Sequence, residues 1–184
     1  MKPVLRSLLA LAFVAASSAA VAQDLCSDYQ SRTNCVYKSR PIHNGIDFGG
    51  PEGTVVISST HATVVRRLFR DCPGPGLLVK SDIRARHEDV EALVYIAYWH
   101  MEPDPALKPG DALKPGDPIG TMIPLRRTPC HGSREHVHYE MMVNGEGKRH
   151  INPHEFWVNG PGKVTCFKDG MEVPPGKAVA PRRC

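Results

Sequence analysis

The segment Glu135-His136-Val137-His138-Tyr139-Glu140-Met141-Met142-Val143 most constrains how this chain can fold. Its β-branched and aromatic residues, ahead of the Asn144-Gly145 turn signal, read as a strand. On a strand, residues i and i+2 share a face, so both imidazoles project together while Val137 and Tyr139 point the other way. On a helix they would diverge. Paired imidazoles on one rigid face suit a metal or a proton-transfer site, and such a site needs partners elsewhere in the chain.

Three other stretches offer partners. Pro41 to Val56 is too rich in Gly and Pro for a helix. If it is extended, His43, Gly45 and Asp47 share one face, with Ile46 and Phe48 packed on the other. Neutral imidazole and carboxylate are both good zinc ligands; a turn with a surface His and Asp is the plainer alternative. Glu91 to Met101 is apolar on both sides, which reads as a central, two-sided strand ending at His100. A satisfied buried histidine is the plainer reading there.

The remaining segments read as scaffold. Val55–Ile57 and Ala62–Val65 form strands around a turn carrying His61, and Leu77–Val79 a short strand. The charged stretch 80–91, with His87, reads as an exposed loop or hairpin tip. Ala106-Leu-Lys-Pro-Gly-Asp111 recurs as Ala112-Leu-Lys-Pro-Gly-Asp117. Each Pro-Gly suits the central pair of a type II turn, since Pro presets φ and Gly accepts φ > 0. A short helical turn is expected near 152–157, with Asn152 as cap and Pro153 at its first position. His150 and His154 are expected at the surface.

The 184 residues leave room for one ordinary domain. Residues 1–22 read as a secretory signal: Lys2 and Arg6, an apolar stretch from Leu8 to Val14, then Ala20-Val21-Ala22 as the cleavage site. That stretch is too short for a stable membrane anchor, and Leu25 before Cys26 argues against a lipoprotein signal. The expectation is a periplasmic or secreted protein with an arm at 23–40, a domain at 41–160 and a Pro/Gly/basic extension at 161–184. All six cysteines follow the signal, and an even count in an oxidising compartment favours disulfides. Sequence proximity suggests Cys26–Cys35 and Cys166–Cys184, stapling the termini. Of the formal charge of +4, Lys2 and Arg6 supply two units, and the remaining +2 is too mild to indicate nucleic acid.

Taken together, His43-x-Gly-x-Asp47-Phe, Tyr98-x-His100-Met, Lys114-Pro-Gly-Asp-Pro-Ile-Gly120 and His136-x-His138-Tyr-Glu140 resemble the lysostaphin/LytM-type zinc peptidoglycan endopeptidases in order and spacing. The resemblance runs from about Pro41 to Glu140. It implies an all-β fold, an antiparallel sheet or sandwich with an active-site groove. It further implies that one Zn²⁺ is held by His43, Asp47 and His138, with His136 and His100 as catalytic residues, and that the substrate is peptidoglycan cross-links. Against the family pattern, the loop before His136 is bulky and basic, and the glycine-rich hairpin loop has become Cys72-Pro-Gly-Pro-Gly76. Both would line the groove, which motivates a Cys72–Cys130 staple. Two other readings compete with the enzyme: an inactive LytM-like protein that binds peptidoglycan or activates an amidase, and a disulfide-rich binding module whose histidines are incidental.

Overall fold

The computed structural model describes residues 25–32, 42–87, 89–125, 134–145, 147 and 149–184. The expected signal (residues 1–22), Cys35, Cys130 and residues 126–133 of the expected basic loop lie outside them. Two antiparallel sheets organise the chain. The larger contains β1 (Leu25–Ser27), β2 (Ile46–Gly49), β10 (His136–Val143), β6 (Val90–Trp99), β5 (Gly76–His87), β4 (Ala62–Leu68) and β8 (Ala112–Leu113) in that spatial order, with β11 (His150–Ile151) also paired to β10. The smaller orders β3 (Val55–Ile57), β9 (Pro118–Met122) and β7 (Met101–Pro103). This is the all-β architecture expected, and among the described residues no helix is long and apolar enough to cross a membrane.

Period-two alternation builds the main core from the large sheet. Val137, Tyr139, Met141 and Val143 of β10 turn inward beside Ile96 and Tyr98 of β6 and Ile46 and Phe48 of β2. The tyrosine hydroxyls entering this apolar layer are satisfied there. Ser59 Oγ lies 2.8 Å from the Tyr98 hydroxyl and 2.9 Å from that of Tyr139. The opposite face of the same strands carries His138, Glu140 and Met142 beside Trp99 and Ala97.

Several local expectations hold. Asp111 N–H donates to Lys108 O and Asp117 N–H to Lys114 O, both at 3.1 Å, and Gly110 and Gly116 sit at φ +95° and +89°. These are the two Pro-Gly turns, each further tied by an aspartate carboxylate accepting from the lysine N–H. A 3-10 turn spans Pro153–Glu155, with the Asn152 side chain accepting from His154 N–H. Cys166 is bonded to Cys184. Cys26 and Cys72 are also disulfide-bonded, and their expected partners lie outside the described residues.

Other expectations need correction. Leu77–Val79 is only the beginning of a twelve-residue strand, because β5 pairs along β6 as far as His87↔Val90, so most of the charged stretch 80–91 is paired strand. His61, in its turn, is half-buried with Nε2 3.3 Å from the carbonyl of Val173, so that turn is held by a tertiary contact. The Pro/Gly/basic extension is more than an appendage to the domain: Ala178 and Ala180 join the main core, while Phe167, Val173 and Val179 pack around Ile57 of β3. The arm also gains structure, since β1 adds to the edge of the sheet through Leu25↔Phe48 and Ser27↔Asp47.

Candidate metal centre

Register sets the site. In the β2–β10 pair Asp47 lies opposite His138, and in the β10–β6 pair His138 lies opposite Trp99. Asp47, His138 and the residue after Trp99, His100, are therefore brought together across three neighbouring strands. His43 arrives from the extended segment before β2, and Gly45 lets it approach. A Cβ at Gly45 would fall inside van der Waals contact of the Tyr139 carbonyl and press on the His138 ring.

The result is a triangle of donor atoms. His138 Nδ1 lies 2.7 Å from Asp47 Oδ1, His43 Nε2 3.0 Å from the same oxygen, and His43 Nε2 2.8 Å from His138 Nδ1. His43 and Asp47 are buried and His138 is half-buried. Three electron-rich atoms this close need a shared cation or proton to be stable together. Two imidazoles and one carboxylate suit Zn²⁺, and the three side chains form a group able to hold a metal ion.

Outer partners define which nitrogen of each ligand faces inward. His43 Nδ1 lies 2.9 Å from the backbone carbonyl of Asp28, which can only accept, so Nδ1 carries the proton and Nε2 presents its lone pair. His138 Nε2 donates to Glu140 Oε1 at 2.9 Å, leaving Nδ1 for the triangle. Glu140 is held in turn by Trp99 Nε1–H at 3.2 Å. Asp28 Oδ1 accepts from His154 Nε2 at 2.7 Å, and His154 Nδ1 accepts from Trp157 Nε1–H at 3.0 Å. Neither His150 nor His154 is the free surface residue expected, because both are half-buried and His150 Nε2 lies 3.7 Å from Glu140 Oε2.

The electrostatics follow from these contacts. Burial pushes the Asp47 carboxyl up, but hydrogen bonds from His138 and His43 outweigh it and hold the group well below the usual carboxylate range. Burial pushes His138 down, yet its bonds to Asp47 and Glu140 raise it to about 9. Glu140 is likewise lowered, its burial overridden by the bonds from His138 and His150.

The two remaining histidines flank the triangle. His136 Nδ1 donates to the carbonyl of Arg134 at 2.9 Å, so its other nitrogen, Nε2, faces Asp47 Oδ1 at 3.6 Å with a lone pair. Burial lowers the His136 pKa, against the pull of Asp47. His100 packs against His136 with ring centroids 4.8 Å apart. Burial first, then the neighbouring His136 and His138, lower it to about 3. Its Nδ1 is a buried polar atom with no hydrogen-bond partner among the described residues. At φ +63° His100 is also strained, held where the chain leaves β6 of one sheet for β7 of the other.

All five residues singled out by sequence thus converge. Glu140 was missed as a participant, although His136-x-His138-x-Glu140 extends the same period-two face and could have disclosed it. Asp28 acts through a backbone carbonyl and leaves no such signal.

The fold is of the lysostaphin/LytM type. Residues 41–153 match Peptidase family M23, and the chain belongs to that family. Three solved structures resemble it. A mutant catalytic domain of the prophage-encoded M23 protein EnpA from Enterococcus faecalis is 23% identical, with TM-score 0.53, covering 71% of this chain and 88% of that one. LytU is 24% identical, with TM-score 0.57 and coverage of 76% and 88%. The catalytic domain of the antimicrobial peptidase lysostaphin from Staphylococcus simulans is 21% identical, with TM-score 0.51 and coverage of 69% and 86%. These likenesses concern the fold. No curated protein matches the chain in sequence.

Proposed function

We propose that this protein is an exported, zinc-dependent metalloendopeptidase that hydrolyses peptide cross-links of bacterial peptidoglycan. The observation that carries the reading is the His43–Asp47–His138 triangle with His136 and His100 beside it. Membership of Peptidase family M23 supports it, as does the filling of all five positions, which favours an enzyme over an inactive binding or amidase-activating relative.

His43, Asp47 and His138 would hold the ion. Bound Zn²⁺ supplies Lewis acidity, lowering the pKa of water and polarising a carbonyl. The protein's own groups do the rest. His136, neutral and with Nε2 turned to the triangle, accepts a proton from the attacking water and returns it to the leaving amine, a role worth roughly 10²–10⁴ in rate. His100, neutral down to about pH 3, donates an N–H to the carbonyl oxygen as charge develops there. One such donor is worth about 10²–10³. Asp47 keeps the charge of the centre partly balanced.

The test uses purified sacculi and the zinc-loaded protein. New amino groups should appear, and both chelator and His136→Ala should suppress them. Mass spectrometry of the digest then identifies the bond cut. If the zinc-loaded wild type releases no amines, the enzyme reading is lost.

A further inference from the structure

At the end of β2, where Gly49 pairs with His136, a cleft of about 530 Å³ opens beside the metal centre. Its walls include Gly50, Pro51, Arg134, Glu135, Arg182 and Arg183. Two of the arginines come from the C-terminal segment, outside residues 41–153 that match the family. The Cys166–Cys184 disulfide ties that segment down next to them.

The three guanidinium groups are not equivalent. Arg183 packs over the Phe167 ring, donates to the Gly116 carbonyl at 3.1 Å and pairs with Asp169, so its charge is locally balanced. Arg182 Nη1 donates to the Gly49 carbonyl at 3.0 Å, which anchors its guanidinium at the strand position facing His136. Arg134 is exposed, and its side chain pairs with no group among the described residues. Its own backbone carbonyl orients His136. Glu135, also in the wall, offsets one positive charge and leaves the cleft basic.

We infer that this cleft is a carboxylate-binding subsite, in which Arg134, backed by Arg182, receives a free carboxylate of the peptide next to the bond being cut. A guanidinium fork matches a carboxylate in a bidentate pair. Cross-linked wall peptides carry free carboxylates beside their cross-links, whereas the interior of an ordinary polypeptide offers none on its backbone. The subsite would therefore select the substrate class. The inference rests on the peptidase reading above and deepens it.

The test measures equilibrium binding to the zinc-loaded full mature chain in a His136→Ala background, so that the probe persists. The probes are a synthetic cross-linked diaminopimelate peptide with free carboxylates and the same peptide with the diaminopimelate carboxylate amidated. The acid should bind about tenfold more tightly than the amide, as expected of a charge-assisted bidentate pair. That preference should shrink with added salt. Arg134→Gln should abolish it, and Arg182→Gln should weaken it, both with zinc content unchanged. Equal binding of acid and amide, or a preference that survives both substitutions, overturns the subsite. A wild type that releases no amines from sacculi would instead strike the peptidase reading and leave the acid-over-amide comparison standing.

Discussion

The Nδ1–H of His43 donates to the backbone carbonyl of Asp28 at 2.9 Å, so an N-terminal arm outside the family-matching residues 41–153 dictates how a candidate metal ligand presents its lone pair. The arm also holds the His43 backbone, through Gln30 N–H to His43 O at 2.8 Å and His43 N–H to Ser31 O at 3.1 Å. Its far side is anchored by the hydrogen bond from His154 Nε2–H to the Asp28 carboxylate. Asp28→Ala removes that anchor and keeps the carbonyl. Zinc affinity, measured by chelator competition, should fall about tenfold, the usual scale for an outer partner of a ligating histidine. An unchanged affinity would show that the arm only covers the sheet edge.

Glu140 does for His138 what the arm does for His43, with the addition of charge. Glu140→Gln keeps the shape and an acceptor near His138 Nε2 but removes the carboxylate that strengthens the ligand. Zinc affinity should drop roughly 10- to 100-fold while the far-UV spectrum is retained. The indole of Trp99, which donates to the same carboxylate, supplies a fluorescence report on whether the network has shifted.

The two histidines of the His-x-His pair should answer differently to removal. His138 contributes an edge of the triangle, and His136 stands beside it. His138→Ala should lose stoichiometric zinc, whereas His136→Ala should keep it and lose turnover by at least about 10². Equal zinc loss in both variants, measured by elemental analysis, would reject this division of labour.

The proton on His138 makes the zinc-stripped protein sensitive to alkaline pH. A histidine raised from about 6.5 to about 9 on folding adds stability that is complete below pH 6.5 and lost as pH rises through 9. The melting temperature of the stripped protein should accordingly decline across that window, and His138→Gln should remove the decline. Zinc must displace the same proton, so calorimetry in buffers of different ionisation enthalpy should show proton release on loading, with affinity rising towards pH 9.

Much of the architecture is readable without coordinates because it is written locally. Strand alternation placed Val137 and Tyr139 in the core and His136 and His138 on the other face, the Pro-Gly pairs marked both turns, and Asn152-Pro153 marked the 3-10 turn. Five chemically suitable residues, in the order the resemblance uses, were enough to say which segments a candidate metal centre would need to bring together. Strand pairing placed them: the registers opposing Asp47 to His138, and His138 to Trp99, bring residues 91 positions apart to 2.7 Å. Such pairings depend on side-chain packing across the sheet, which no single segment encodes. The same holds for the groups around the centre. Asp28 acts through a carbonyl that any residue could supply, and Arg182 reaches the cleft only because the tail folds back along β3 and is tied by its disulfide. Chemistry carried by side-chain type was visible in the chain; chemistry carried by backbone position and long-range packing came into being only when the strands paired.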